Sequence, residues 1–262
     1  MAAGDKVRAE RRRGGALLWI TLDAPKGNVL DTAMIGGIDA ALVAHGADPA
    51  LKGIVFEGAG DHFSFGASVE EHRPEEAPAM LARFHALLRR LQAVAAPTLA
   101  VVRGQCLGGG LELAACCSWI FAGPTARFGQ PEIKLGVIAP AASVLLPWRL
   151  GAGRALDLLV SGRTIDAEAA ARIGLAHAVA ERPDEACETF FAEHIEPGSA
   201  SSLRFAERAA RHALDRLLGP ELARLERLYL DELMATPDAR EGIAAFIERR
   251  RPRFGAQGGG AP

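Results

Sequence analysis

An α/β fold with crossover connections is predicted by three observations. Short apolar runs bounded by glycine or proline alternate with segments of helical period. A glycine turn joins a strand-like run to a helix-like one near the middle of the chain. Beyond Pro197 only helical patterns remain.

The elements follow in order. Ala16-Leu17-Leu18-Trp19-Ile20-Thr21-Leu22 reads as a strand, and Pro25-Lys26-Gly27-Asn28 then punctuates the chain. Asp31 suits a helix N-cap, with Met34, Ile35, Ile38 and Leu42 on one face behind it. Gly53-Ile54-Val55-Phe56-Glu57-Gly58 has the apolar, glycine-bounded look of a buried strand. Residues 70–79 are charged and proline-bearing and read as a surface loop, followed by a helix over 80–95. Pro97 stops that helix. Strands are predicted at 98–102 and 118–122, on either side of the glycine turn and its helix. Helices are expected at 201–218, 221–235 and 238–250, separated by Gly219-Pro220 and Pro237, with Leu214, Leu217, Leu218, Leu222, Leu225 and Leu228 as apolar stripes. Arg204, Arg208 and Arg211 read as a solvated face. The division is therefore a core over 1–196, a helical module over 197–254 and a disordered Gly/Ala tail over 255–262.

Bulk properties narrow the function. A chain of 262 residues with 49% hydrophobic content can fill one large core with an appendage. A net charge of −2 and only 6% aromatic residues argue against nucleic-acid binding, which needs clustered positive charge or stacking platforms. Cys106, Cys116, Cys117 and Cys187 form no C-x-x-C pair, so buried free thiols in a reducing cytoplasm are expected. The histidines show no metal-ligand spacing, and no metal site is expected. Arg11-Arg12-Arg13 is followed by no apolar run of leader or membrane-spanning length, so a cytoplasmic protein off the membrane is predicted.

The chemistry gathers around Gly108-Gly109-Gly110-Leu111-Glu112. Glycines let the backbone approach a ligand closely, and N–H groups at a helix start stabilise negative charge on a carbonyl oxygen. A second glycine element, Phe63-Ser64-Phe65-Gly66-Ala67-Ser68, can supply another donor. Glu112 lies in an otherwise apolar first helical turn, where burial raises a carboxylate toward an acid/base range. Glu132, in Phe128-Gly129-Gln130-Pro131-Glu132, can face it, and two carboxylates around one carbon can hold water and move its protons. Each feature alone also suits plain helix packing or a helix dipole. No G-x-S-x-G elbow, P-loop or dinucleotide fingerprint is present, and His62 and His72 read as surface residues.

Together these motifs resemble the crotonase (enoyl-CoA hydratase/isomerase) superfamily over nearly the whole chain. The resemblance rests on 104–113 and 126–136, with Leu159-Val160-Ser161-Gly162-Arg163 and Ala171-Arg172-Ile173-Gly174-Leu175 in support. It implies a spiral of ββα turns with a C-terminal α-helical module that assembles trimers, often paired into hexamers. It implies an acyl-CoA thioester substrate, with CoA as part of the substrate and no separate cofactor. By motif, the amides of Ala67 and Gly109 become the oxyanion hole, and Glu112 and Glu132 the two hydratase carboxylates. Phe246 and Arg249 match residues that contact the CoA nucleotide. Two positions depart from the pattern. Ser68 replaces the usual aspartate, which the backbone donor does not need. Pro140, in Ala139-Pro140-Ala141-Ala142-Ser143, aligns with a glycine whose N–H helps hold the water, and proline has no N–H. An altered substrate pocket at Pro140 is therefore expected. Within the superfamily the combination resembles the hydratases of cyclohexa-1,5-diene-1-carbonyl-CoA in anaerobic benzoyl-CoA breakdown. Straight-chain enoyl-CoA hydration, isomerisation and an RNA-associated homologue are the rival readings.

Overall fold

The computed structural model describes residues 6–255. The strands are β1 (Val7–Arg12), β2 (Leu17–Leu22), β3 (Gly53–Gly58), β4 (Thr98–Val102), β5 (Gln105–Leu107), β6 (Trp119–Ala122), β7 (Arg127–Gly129), β8 (Thr164–Asp166) and β9 (Ala178–Val179). The helices are α1 (Thr32–His45), α2 (Ala77–Val94), α3 (Gly109–Cys116), α4 (Pro140–Leu150), α5 (Ala152–Ser161), α6 (Ala167–Arg172), α7 (Pro183–Phe190), α8 (Ala200–Arg227) and α9 (Pro237–Ile247). One sheet has the order β1-β2-β3-β4-β6-β9, and a second has β5-β7-β8. From β2 to β9 the larger sheet is parallel, in keeping with its crossover helices. The chain visits the two sheets in turn, β4 then β5, β6 then β7, and so winds as a spiral. α/β architecture and the crotonase spiral are thus as predicted.

Burial explains why the strands were legible. β3 and β4 are apolar on both faces because helices cover one side and the α7 region the other, where Trp19, Val55, Leu99, Phe121 and Phe191 form their own cluster. α1 begins as read: Asp31 accepts from the Met34 N–H at 2.9 Å, and Met34, Ile35, Ile38 and Leu42 are buried. The four cysteines are free and buried.

Several expectations are corrected. β1 was unread, because Arg8, Arg11 and Arg12 give an antiparallel edge strand no apolar alternation; Arg12 instead lies over the Trp19 ring, 4.0 Å from its centroid. The predicted loop over 70–79 contains a 3-10 turn at Glu70–His72 and the start of α2, whose first turn accepts Pro78 because no N–H is needed there. His72 is buried, its Nδ1 2.7 Å from the Ser68 carbonyl, and burial holds its pKa below the usual histidine value. α8 runs straight through Gly219-Pro220, since Leu214, Leu218 and Leu222 stay on one face buried in the main core. Leu217 is turned out and exposed. A π-helical turn at Leu228–Glu232 and a 3-10 turn at Leu233–Ala235 then lead to α9.

The arginine face of α8 is also not solvated. Of Arg204, Arg208 and Arg211, Arg208 alone is exposed. Arg204 reaches the Val94 and Asp48 carbonyls at 2.9 and 2.6 Å. Arg211 is buried, donates to the Cys116 carbonyl at 2.8 Å and pairs with Glu207 at 2.6 Å. Arg149 of α4 donates to the Cys117 carbonyl at 2.7 Å. Two guanidinium groups thus close the C-terminal end of α3, the helix that carries Gly109 and Glu112. The predicted tail beyond residue 255 lies outside the described residues.

Candidate active site

The site is built where the two glycine elements meet. β5 runs into Gly108, whose φ of +51° favours glycine, and its N–H donates to the Gly129 carbonyl at 3.0 Å. Gly66, with φ of +101°, is held by Ser64 Oγ, which accepts from the Gly66 N–H at 3.0 Å and donates to the Asn28 carbonyl at 2.8 Å. A Cβ on Gly109 would sit 3.1 Å from the Ala67 nitrogen, and one on Gly66 would sit 2.8 Å from the Leu107 carbonyl oxygen. The two turns therefore pack backbone against backbone, bringing the Ala67 and Gly109 amides together. Neither N–H donates to a protein acceptor among the described residues. Gly109 is the first residue of α3, where N–H groups have no partner within the helix. Two adjacent unpaired donors at a helix start suit an oxygen that gains negative charge.

Both carboxylates lie by the start of α3. Glu112 lies in the first turn of α3 and is 5% exposed; its Oε1 accepts from the Ala142 N–H at 2.7 Å. Ala142 is in the first turn of α4, which Pro140 opens, so Glu112 caps that helix. Glu132 is in a 3-10 turn, Pro131–Leu135, with its Oε1 against the Gly108 Cα position. Burial pushes Glu112 up to about 7, against the Ala142 and Ala141 N–H groups, which lower it. Burial and then the charge of Glu112 push Glu132 up to about 8. The two titrate as a pair. Gln130, 1% exposed, serves either state of Glu132. With its amide nitrogen toward Glu132 it donates to the two oxygens at 2.9 and 3.2 Å. With the amide reversed its nitrogen donates to the Gly108 carbonyl at 3.4 Å and its oxygen can accept from a protonated carboxyl.

Beside Glu132 opens a mainly apolar cavity of about 400 Å³, walled by Ile133, Ile138, Leu156, Leu159 and Val160, with Ser143 and Gln130 as further polar groups. Ala139 and Ser143 line it, while Pro140 between them is buried in the first turn of α4. Phe246 and Arg249 are exposed at the end of α9 and form no part of the cavity wall. His62 is half-buried, and its Nδ1 accepts from the Gln105 N–H at 3.2 Å, a scaffold role. Gln130, Ser143 and the Ala142 N–H carry no role in the sequence motifs and take one only in the fold. Gln130 and Ala142 are marked only by burial beside a carboxylate, and Ser143 only by its place in the cavity wall.

Two predictions arise from this geometry. A Cβ at Gly108 collides with Glu132 Oε1. Gly108→Ala is expected to lower kcat about 100-fold by moving the carboxylate, with helix content by circular dichroism unchanged. The pH dependence of stability follows from the raised carboxyl pKa values. Above the ordinary 4.5, the folded pair holds protons that the unfolded chain has lost, so its contribution is present at low pH and lost as pH rises through about 7 and 8. Glu112→Gln, which cannot ionise, should gain in Tm relative to the natural protein between pH 5 and pH 9 in thermal melts.

The spiral, the paired turn amides and the facing carboxylates define a class that known proteins share. A profile described as Enoyl-CoA hydratase/isomerase matches residues 12–257. The chain is 50% identical over 248 residues to the cyclohexa-1,5-dienecarbonyl-CoA hydratase of Thauera aromatica, covering 95% of this chain and 96% of the relative. It is 33% identical to the crotonyl-CoA hydratase of Syntrophomonas wolfei, covering 96% and 98%. The crystal structure of an enoyl-CoA hydratase from Mycobacterium avium superposes with a TM-score of 0.85 at 28% identity, covering 96% of this chain and 99% of that one. The chain belongs to the enoyl-CoA hydratase/isomerase family, with the crotonase fold, and is an enzyme of the hydratase class.

Proposed function

We propose that the protein adds water to a conjugated cyclic acyl-CoA, converting cyclohexa-1,5-diene-1-carbonyl-CoA to a 6-hydroxycyclohex-1-ene-1-carbonyl-CoA in the breakdown of aromatic acids. The observation that carries this reading is the pair Glu112 and Glu132, both raised toward neutral pH beside two unpaired backbone donors. The thioester oxygen accepts hydrogen bonds from the Ala67 and Gly109 amides. Water lies between the carboxylates. One carboxylate removes a proton as the water oxygen bonds to the ring, and electrons move toward the thioester oxygen. A carboxyl group then gives a proton to the ring carbon, so one water is added and nothing is oxidised or reduced. No cofactor is needed.

The cyclic substrate is supported by the relation to the Thauera aromatica hydratase and by Pro140, which removes one N–H from the start of α4. The Ala142 N–H there is given to Glu112, so the water relies on the carboxylates themselves. The apolar wall of α5 suits a ring with no polar substituent. Phe246 and Arg249 hold the CoA nucleotide in this reading. Exposed Phe205 and Leu217 on α8 support assembly into a trimer or hexamer. The protein works in the cytoplasm.

The test is product mass in oxygen-18 water. The cyclic dienoyl-CoA should gain one labelled water. A product of unchanged mass with a moved double bond would mean isomerisation and would overturn the reading.

A further inference from the structure

Tyr229 is the single tyrosine of the chain. It is fully buried in the π-helical turn Leu228–Glu232 that ends α8. Such turns reposition one residue relative to an α-helix and recur at functional sites. Its ring packs with Ala77 and Met80 of α2, with Val137, and with Ala239 and Ile243 of α9. Yet its hydroxyl has no hydrogen-bond partner among the described residues. An unpaired hydroxyl in an apolar cluster is unfavourable, and phenylalanine would fill the same space without that cost.

The cluster adjoins the catalytic pair. Val137 closes the turn that carries Glu132, its N–H donating to the Glu132 carbonyl at 3.2 Å, and Leu135 of that turn packs against the same cluster. Burial first, and then the Glu132 charge, raise the Tyr229 pKa above the ordinary tyrosine value. Glu132 is thus the ionised group that acts on Tyr229, and Glu112 the one that acts on Glu132. An orphan donor packed in the same cluster as the turn that carries Glu132 is placed to serve that carboxylate.

We propose that Tyr229 is a positioning residue whose hydroxyl donates through one buried water to the Glu132 carboxylate, so that the C-terminal helices set the ionisation and aim of a group in the spiral core. This rests on the reading of Glu132 as an acid/base group. Removing the donor disfavours the ionised form of Glu132.

Tyr229→Phe tests this, because it deletes only the oxygen. The expected result is a kcat about tenfold lower, the rising limb of the kcat–pH profile moved to higher pH, and an unchanged or higher Tm. A second readout needs no turnover. The infrared band of the protonated Glu132 carboxyl, assigned by its loss in Glu132→Gln, should persist to higher pH in Tyr229→Phe. A variant with the natural kcat, pH limb and infrared titration would overturn the proposal. An infrared shift in a protein that hydrates no acyl-CoA would keep this inference and remove the functional reading instead.

Discussion

Replacing Glu132 by glutamine lowers kcat for hydration by roughly 10²- to 10⁴-fold, the usual worth of a positioned acid/base group. Glutamine keeps the shape, and Gln130 can turn its amide to suit the new neighbour. What is lost is the ability to take or give a proton. Glu112→Gln should lose as much, because two coupled carboxylates act as one unit and the double variant should fall little below either single one. CoA-thioester binding, read by calorimetry, should change less than threefold, since neither glutamate holds the CoA in the proposed reading. Full activity in Glu132→Gln would sink the two-carboxylate mechanism.

The largest effect on stability is expected at Arg211. This guanidinium is buried between Glu207, the Cys116 carbonyl and Ser118 Oγ, the last at 3.0 Å. Arg211→Met fills similar volume but leaves Glu207 with an uncompensated charge and α3 with an uncapped carbonyl. The loss should be about 3–5 kcal/mol, measured by denaturant unfolding at fixed protein concentration. Removing both partners in Arg211→Met with Glu207→Leu should recover much of it, because no lone charge remains. A single variant within about 0.5 kcal/mol of the natural protein, the range of an ordinary surface change, would mean that the cap contributes nothing.

The core strands and α1 were legible because burial on both faces, or on one helical stripe, leaves an unbroken or periodic apolar record. Gly53–Gly58 and Thr98–Val102 are strands at their predicted bounds. The carboxylates were legible because each sits in a short motif with a glycine turn or a proline at fixed distance. Features that depend on distant partners were not. The charges of β1 hide an edge strand, since its stabilisation comes from backbone pairing with β2 and not from an apolar face. Arg204 and Arg211 look like solvent-facing positions until the carbonyl ends they meet are in place. Gly219-Pro220 reads as a break, but the buried leucines on either side hold one continuous helix. Tyr229 gives no local signal, because Val137, with which it shares a cluster, is about ninety residues away in sequence.

The central claim is that the Glu112–Glu132 pair serves a cyclic conjugated thioester. The most direct measurement is kcat/KM for hydration of cyclohexa-1,5-diene-1-carbonyl-CoA and of crotonyl-CoA by the same preparation. The account predicts a preference of at least roughly 100-fold for the ring, a range that pocket shape can supply. Equal values, or a preference for crotonyl-CoA, would contradict it and make the protein a general enoyl-CoA hydratase.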